Sequence, residues 1–108
     1  MSSEIYGRYS DRAAEVARYL FSYDSETGVL TRNVNRSGQK AGSEPGCISV
    51  QTFGVRYRVV TVHGRTYLTH RIAWLLYYGQ WPEGDIDHID GNGLNNKISN
   101  LRIATRSE

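Results

Sequence analysis

The chain has 108 residues, of which 39% are hydrophobic and 22% are charged. This length and composition predict one folded domain with a modest core and argue against a disordered chain. The longest apolar run, Ile72 to Tyr78, is far shorter than the roughly 18 residues of a membrane span. A single cysteine, Cys47, excludes an internal disulfide and a cysteine-rich zinc site.

The start of the chain does not predict a secretory signal. Met1 is followed by Ser2, Ser3 and Glu4, without a basic segment or an apolar segment. We therefore expect a cytoplasmic protein that has no membrane partner.

The net charge of +2 is distributed unevenly along the chain. Residues 1–31 and 76–108 each sum to −2, whereas residues 32–75 hold seven bases and one acid and sum to +6. A basic centre beside an acidic end favours a phosphate-binding surface next to carboxylates that could hold a cation. A solvated face without a partner explains the same charges about equally well.

The first third of the chain predicts one helix and one short strand. Ser10 or Asp11 is expected to cap a helix that ends at Leu20. Its inward face is formed by apolar residues at helical spacing, namely Ala13, Val16, Ala17 and Leu20. Residues 23–28 predict a turn before a strand at 29–31, and the glycines of 33–46 predict a surface loop.

The middle of the chain predicts a hairpin followed by a buried helix. Val55 to Val62 and Arg65 to Leu68 are expected to be paired strands joined by a turn at His63-Gly64. Thr69 is then expected to cap a helix over His70–Tyr78, and Gly79 to end it. The inward residues of that helix are Ile72, Ala73, Leu75 and Leu76.

The last part of the chain is rich in aspartate and asparagine and poor in apolar residues. Asp87-His88 is expected at the end of a short strand, with a turn at 90–92 and a return strand at Leu101–Ile103. The final four residues, Thr105–Glu108, match a capping box and predict that a helix begins there.

Asp87-His88 is the strongest candidate for chemistry. A carboxylate is a hard oxygen ligand suited to Mg²⁺ or Mn²⁺, and a neutral imidazole accepts a proton from water near neutral pH. The alternative, and the commoner outcome for an arbitrary Asp-His pair, is that Asp87 caps a turn and His88 packs half-buried. Asn100 is expected to brace the His88 strand, whereas Asn92 and Asn95 are expected to form turns.

Two other metal sites are excluded by spacing. A calcium-binding loop that started at Asp85 would have Ile89 at its fifth position, where an acidic residue is needed, Asp90 at its sixth in place of Gly, and Asn96 at its twelfth in place of Glu. Zinc requires clustered His and Cys, but the three histidines are dispersed.

Residues 87–92 (DHIDGN), 95–96 (NN) and 100–102 (NLR) together resemble the HNH endonuclease motif of phage homing and free-standing nucleases. The likeness extends upstream to about residue 20, through Tyr23-Asp24, the hairpin, residues 70–75 (HRIAWL) and residues 79–82 (GQWP). It implies an α+β fold with a β-hairpin or short sheet, a central buried helix and a C-terminal ββα-metal motif. The corresponding division of the single domain is an N-terminal helix (1–22), a basic sheet with the buried helix (23–84) and the HNH motif (85–108).

The resemblance also implies roles for individual residues. Asp87 would bind one divalent cation, Mg²⁺ or Mn²⁺, and His88 would be the general base that activates water against a phosphodiester of DNA. Asn100 would orient the loop and the imidazole. Four arginines would grip the DNA backbone, namely Arg56, Arg58, Arg65 and Arg71. If the chain is phage-encoded, it would act in the host cytoplasm.

The sequence departs from the family at its end. The last residue of the motif, an Asn or His that binds the metal, would fall immediately after Glu108. Together with the capping box, this position predicts that the chain stops at the first turn of the motif's last helix. We therefore expect a nuclease that is impaired in metal binding.

Two other functions remain open from the sequence. The first is a non-catalytic nucleic-acid-binding module derived from an HNH nuclease, which would bind DNA whether or not His88 is present. The second is a factor that binds another protein through Trp74, Trp81 and the tyrosines, although eight tyrosines in so small a domain are more simply explained as core. Binding to a protein would be insensitive to salt.

Overall fold

A computed structural model describes residues 8–104 and confirms the α+β class. Short antiparallel strands and two helices make up the described part of the chain. In chain order the elements are α1 (Asp11–Leu20), β1 (Phe21–Asp24), β2 (Val29–Arg32), β3 (Cys47–Val50), β4 (Arg56–Val62), β5 (Arg65–Leu68), α2 (Thr69–Tyr78), β6 (Ile86–His88) and β7 (Leu101–Ile103). They form the sheets β1-β2, β3-β4-β5 and β6-β7.

Helix α1 begins where its cap was predicted. The Ser10 hydroxyl oxygen accepts the backbone N–H of Ala13 at 3.1 Å, so Ser10 rather than Asp11 is the N-cap. The buried face is Ala14, Ala17 and Leu20, so Ala17 and Leu20 of the predicted face are buried, whereas Ala13 and Val16 are only partly buried and Ala14 was not predicted. Because α1 packs against both α2 and β1, its buried face includes Ala14, whereas Ala13 is only partly buried.

Two strands were not predicted from the sequence. Tyr23 and Asp24 lie in β1, where they pair with Leu30 and Val29, so the turn is confined to 25–28. Strand β3 pairs with β4 at the edge of its sheet and is largely exposed. An exposed edge strand has no alternating burial to detect, and its backbone pairing is decided by a distant partner.

The second hairpin and helix α2 follow the prediction closely. Val62 pairs with Arg65, and the turn residues His63 and Gly64 have φ values of 50° and 80°, as a two-residue type I′ turn requires. Gly79 ends α2 in the left-handed conformation with φ 84°. The predicted cap was wrong by one residue, because the N-cap is Leu68 and Thr69 is already helical and buried.

The core is shared by most of these elements. Its least exposed apolar side chains include Leu30 of β2 and Ile72 and Leu75 of α2, all at 1% exposure or less. Val60 of β4 and Leu101 of β7 belong to the same buried cluster. Residues 85–104 are therefore attached to the rest of the chain through shared hydrophobic burial.

Strands β6 and β7 form the predicted hairpin around the Asp87-His88 pair. Asp87 is opposite Arg102, and His88 is opposite Leu101. The connecting loop packs on β4 at Gly93, where an added Cβ would lie 2.2 Å from the backbone oxygen of Arg56. The predicted capping box, Thr105–Glu108, lies outside the described residues.

Candidate active site

The imidazole of His88 lies in a buried, largely polar environment. Only 8% of the His88 surface is exposed. Its Nε2 atom is 2.9 Å from the side-chain oxygen Oδ1 of Asn96, and Asn96 is itself buried. The rings of His70 and Tyr57 pack on it at centroid distances of 4.6 and 5.8 Å. His88 is thus oriented by one hydrogen bond and two rings, brought from three separate segments of the chain.

His70 is a second histidine at this site that sequence reasoning did not single out. It lies in the first turn of α2, is 4% exposed, and its Nδ1 atom has no hydrogen-bond partner among residues 8–104. The pKa of His70 is lowered from 6.5 to about 3, chiefly by burial and in addition by the nearby His88 and Arg71. His70 is therefore neutral at physiological pH and presents an uncharged ring to His88.

Asp87 lies on the more exposed side of the same strand. Its Oδ2 atom accepts two hydrogen bonds from the Arg102 guanidinium, at 3.1 Å from Nε and 2.9 Å from Nη2. The Asp87 side chain keeps 45% of its surface exposed and the Arg102 side chain 61%. Because neighbouring residues of a strand point to opposite faces, the carboxylate and the His88 imidazole diverge.

Asn100 braces the loop that follows His88. Its Oδ1 accepts the backbone N–H of Asp90, and its Nδ2 donates to the Asp90 carboxylate and to the backbone oxygen of Asn95, all at 2.9 Å. The Asn95 side chain and the backbone N–H of Asn92 also donate to that carboxylate. These hydrogen bonds lower the pKa of Asp90, with Asn95 contributing most.

The imidazole of His88 forms a hydrogen bond with Asn96 and not with Asn100. Sequence reasoning assigned the orientation of both the loop and the imidazole to Asn100, and the structure divides these contacts between two asparagines. Asn96 carried no separate signal in the sequence, because four asparagines lie between residues 92 and 100. Its burial depends on how the loop folds back.

The four predicted DNA-binding arginines differ in their surroundings. Arg58 is paired with Glu44 at 3.1 Å, and Arg71 donates to the backbone oxygen of Gly84 and lies over the Tyr9 ring. Arg56 and Arg65 are exposed and make no ion pair or side-chain hydrogen bond with any other residue between 8 and 104. They begin β4 and β5, so the length of β4 separates them by roughly 20 Å.

Within residues 8–104, the ligand atom that this site offers to a divalent cation is one free carboxylate oxygen of Asp87. The Oδ1 atom of Asp87 has no hydrogen-bond partner within the described residues, and a hydrated Mg²⁺ is commonly held by one or two carboxylates. Residues 8–104 contain no cluster of three or more His, Cys, Asp or Glu side chains suited to a metal. Arg102 occupies the other carboxylate oxygen, so a cation would compete with it.

The comparisons with known proteins point to one class. A family model described as HNH endonuclease matches residues 67–108, a segment that contains Asp87, His88, Asn96 and Asn100. The C-terminal part of the chain is therefore similar to the HNH endonuclease family.

A solved structure shares the fold. It is described as DNA binding and cleavage by the HNH homing endonuclease I-HmuI, and it matches with a TM-score of 0.50 and 22% identity. The match covers 80% of this chain and 47% of that one, so this chain spans about half the length of its structural neighbour. No curated protein matches the chain.

Neither helix in the described part of the chain has the length and apolar character needed to cross a bilayer.

Proposed function

We propose that the chain is a DNA endonuclease that hydrolyses phosphodiester bonds with His88 as its general base. The observation that carries the proposal is the orientation of the His88 imidazole, which is bonded through Nε2 to a buried amide within a segment of the HNH family. An imidazole fixed through one nitrogen keeps the other available to accept a proton from water. The structural neighbour is described as binding and cleaving DNA, which supports DNA as the substrate.

The side chains around His88 have separate proposed roles. Asn100 holds the loop through Asp90, and the neutral His70 ring limits the movement of the base. Asp87 is the residue that would hold a divalent cation, Mg²⁺ or Mn²⁺. When bound, such an ion would stabilise the charge that develops on the phosphate and the leaving oxygen.

The DNA backbone is the proposed partner of the basic sheet. Arg56 and Arg65 are the best candidates, because their guanidinium groups are exposed and uncommitted within the described residues. Arg58 and Arg71 remain candidates, but a phosphate would have to compete with Glu44 for Arg58 and with the Gly84 backbone oxygen for Arg71.

We also propose that the three predicted parts of the chain, 1–22, 23–84 and 85–108, act as one domain. The supporting observation is the buried cluster to which Ala17, Val60 and Leu101 all belong. A site whose rings come from β4, α2 and β6 would lose its geometry if these parts were independent.

The test is Mn²⁺-dependent cleavage of plasmid DNA by the chain and by His88→Ala. Loss of a general base is expected to slow cleavage by about a hundredfold or more, while binding to DNA is retained. His63→Asn is the matched control, since His63 is exposed at a hairpin turn whose positive φ asparagine tolerates. Equal cleavage by the chain and by His88→Ala would contradict the proposal.

One observation favours a second function, a nucleic-acid-binding module that does not cleave. The Asp87 carboxylate is already paired with Arg102, and residues 8–104 contain no acid, histidine or cysteine cluster for a metal. This alternative predicts salt-dependent DNA binding by the chain and no Mn²⁺-dependent cleavage above that of His88→Ala. Binding that is independent of salt would contradict both functions.

A further inference from the structure

The hydrogen bond between Asn96 and His88 specifies which ring nitrogen carries the proton. An amide oxygen only accepts hydrogen bonds. With Asn96 Oδ1 facing His88 Nε2 at 2.9 Å, the contact is a hydrogen bond only in the tautomer that carries its proton on Nε2. The lone pair of the neutral ring is then on Nδ1, for which residues 8–104 supply no hydrogen-bond partner.

Burial makes this preference strong. Asn96 is 3% exposed and His88 is 8% exposed, so water is not readily available to replace the amide oxygen. With the amide in this orientation, a ring that carried its proton on Nδ1 instead would place a buried lone pair on Nε2 against the amide oxygen. Two acceptors facing each other in a buried site are strongly disfavoured.

The position of Asn96 is set by a distant part of the chain, the β1–β2 hairpin. The Tyr23 hydroxyl donates to the backbone oxygen of Asn96, and the backbone N–H of Ile98 donates to the oxygen of Ser25 at 3.1 Å. The pKa of Tyr23 is raised to about 12, chiefly by burial and in addition by the adjacent Asp24. The hydroxyl therefore stays a donor at physiological pH.

Gly28 brings the hairpin into direct backbone contact with the same loop. It has φ of +80°, and an added Cβ would lie 2.5 Å from the carbonyl carbon of Asn96 and 2.5 Å from the nitrogen of Lys97. No other residue type fits this position without displacing the Asn96 backbone.

We infer that Asn96 is a positioning residue that holds His88 in the Nε2–H form, and that the β1–β2 hairpin holds Asn96 in place. The inference rests on the proposed function for its consequence in catalysis, since it makes Nδ1 the nitrogen that accepts the proton of water. The tautomer and the hairpin contact themselves can be observed without any cleavage assay.

The first test is a ¹H–¹⁵N NMR spectrum of the histidine rings of the chain at neutral pH. We expect a slowly exchanging Hε2 proton on His88, protected by its bond to Asn96. In Asn96→Leu, which lacks the acceptor, the signal should be lost to exchange with water. Asn96→Asp keeps an acceptor oxygen and should retain it, and Asn92→Ala, an exposed asparagine of the same loop, should leave it unchanged.

Two results would overturn the inference. One is a His88 ring that carries its proton on Nδ1 in the unaltered chain, which needs no variant to detect. The other is an Hε2 signal that persists in a folded Asn96→Leu, as judged by its backbone amide spectrum.

The second test asks whether the hairpin acts through Asn96. Gly28→Ala replaces no side chain of the site but forces the Asn96 backbone to move, so the Hε2 signal should weaken. Gly38→Ala is the control, because Gly38 has the same φ of +80° and nothing within 4 Å of its added Cβ. Equal exchange rates in the two variants would contradict the role of the hairpin.

Cleavage kinetics then separate this inference from the proposed function. Asn96→Leu should lower kcat by about ten- to a hundredfold with little change in KM for DNA, and Asn96→Asp should recover much of that loss. If the unaltered chain does not cleave DNA while its Hε2 signal still depends on Asn96, the proposed function fails and the positioning role stands.

Discussion

Asp87 and Arg102 form the one ion pair in the described part of the chain that involves a proposed catalytic or metal-binding residue. Both side chains are largely exposed, so the pair itself contributes at most about 1 kcal/mol to stability. Its effect on the Asp87 carboxylate is more specific, because the guanidinium occupies Oδ2 and adds a positive charge where a cation would bind.

Removal of this competitor is expected to strengthen cation binding. Arg102→Gln should lower the Kd for Mn²⁺ by about fivefold, corresponding to a Coulomb repulsion of about 1 kcal/mol near the surface. Titration calorimetry with Mn²⁺ measures the change without DNA. Lys97→Gln removes an equal charge from an exposed position of the same loop and should have a smaller effect. Weaker Mn²⁺ binding by Arg102→Gln would show that Arg102 supports the site.

His70 makes the stability of the fold depend on pH. The unfolded chain binds a proton at His70 below about pH 6.5, but the folded chain does so only near pH 3, because the ring is buried beside His88, Arg71 and Tyr57. Lower pH therefore favours the unfolded state in this window. We expect His70 to lower the free energy of unfolding by about 1.4 kcal/mol for each pH unit below 6.5.

The variant His70→Phe isolates this contribution. In urea denaturation at several pH values, the free energy of unfolding of His70→Phe should fall less steeply from pH 6.5 to pH 3 than that of the unaltered chain. His63→Asn, which changes an exposed histidine, should keep the original slope. Parallel curves for the unaltered chain and His70→Phe would mean that His70 is protonated in the folded state.

At the scale of elements, the β6–β7 loop depends on its close approach to β4. Gly93 is buried, and an added Cβ would lie 2.2 Å from the Arg56 backbone oxygen and 2.6 Å from the Tyr57 ring. Since Tyr57 also packs on His88, a displacement of the Tyr57 ring would change the packing around the candidate base.

Gly93→Ala is accordingly expected to destabilise the fold by about 1–3 kcal/mol, the usual cost of overpacking. Gly84→Ala is a matched control, because its added Cβ would make only an ordinary contact of 3.6 Å with Ile103. Chemical denaturation of the two variants measures the difference. A Gly93→Ala protein as stable as Gly84→Ala would show that the loop moves away from β4 at little cost.

At the scale of the whole molecule, charge is segregated between a basic middle and two acidic ends. The fold leaves three arginines of the basic segment, Arg36, Arg56 and Arg65, exposed and without side-chain partners inside the described residues. DNA binding through these exposed arginines should depend strongly on salt, because each phosphate contact releases condensed counterions.

The two strand arginines give a direct comparison. Arg56→Gln should reduce the slope of log K against log salt by about one unit, as should Arg65→Gln. Arg58 lies two residues along β4 from Arg56, but its guanidinium is paired with Glu44. Arg58→Gln should therefore change the slope of log K against log salt less. Fluorescence anisotropy with a labelled duplex at several salt concentrations measures all three. Equal slopes for Arg56→Gln and Arg58→Gln would contradict this assignment.

The elements that the sequence predicted are those with a strong local signal. Ser10 and the helical spacing of the apolar residues after it specified α1. His63-Gly64 specified the hairpin turn, and Gly79 specified the end of α2. Each depends on the conformation of a few consecutive residues. Strand β3 had no such signal, because its exposed residues are ordered by pairing with β4.

The same division applies to the site. The Asp87-His88 pair and its short strand were predicted because motif, turn residues and flanking apolar residues are adjacent in the chain. The partners of His88 could not be predicted, because Tyr57, His70 and Asn96 come from three different segments. Nothing in the sequence distinguishes Asn96 from the other asparagines of its loop before that loop is folded.

The sequence alone therefore determined the chemical types available, a carboxylate beside an imidazole and a surplus of arginine, because composition and local pattern are properties of the chain. Tertiary structure alone decided which nitrogen of His88 is hydrogen-bonded and which arginines have no side-chain partner among residues 8–104. Those properties depend on contacts between residues distant in sequence, which exist only once the hydrophobic core has brought the segments together.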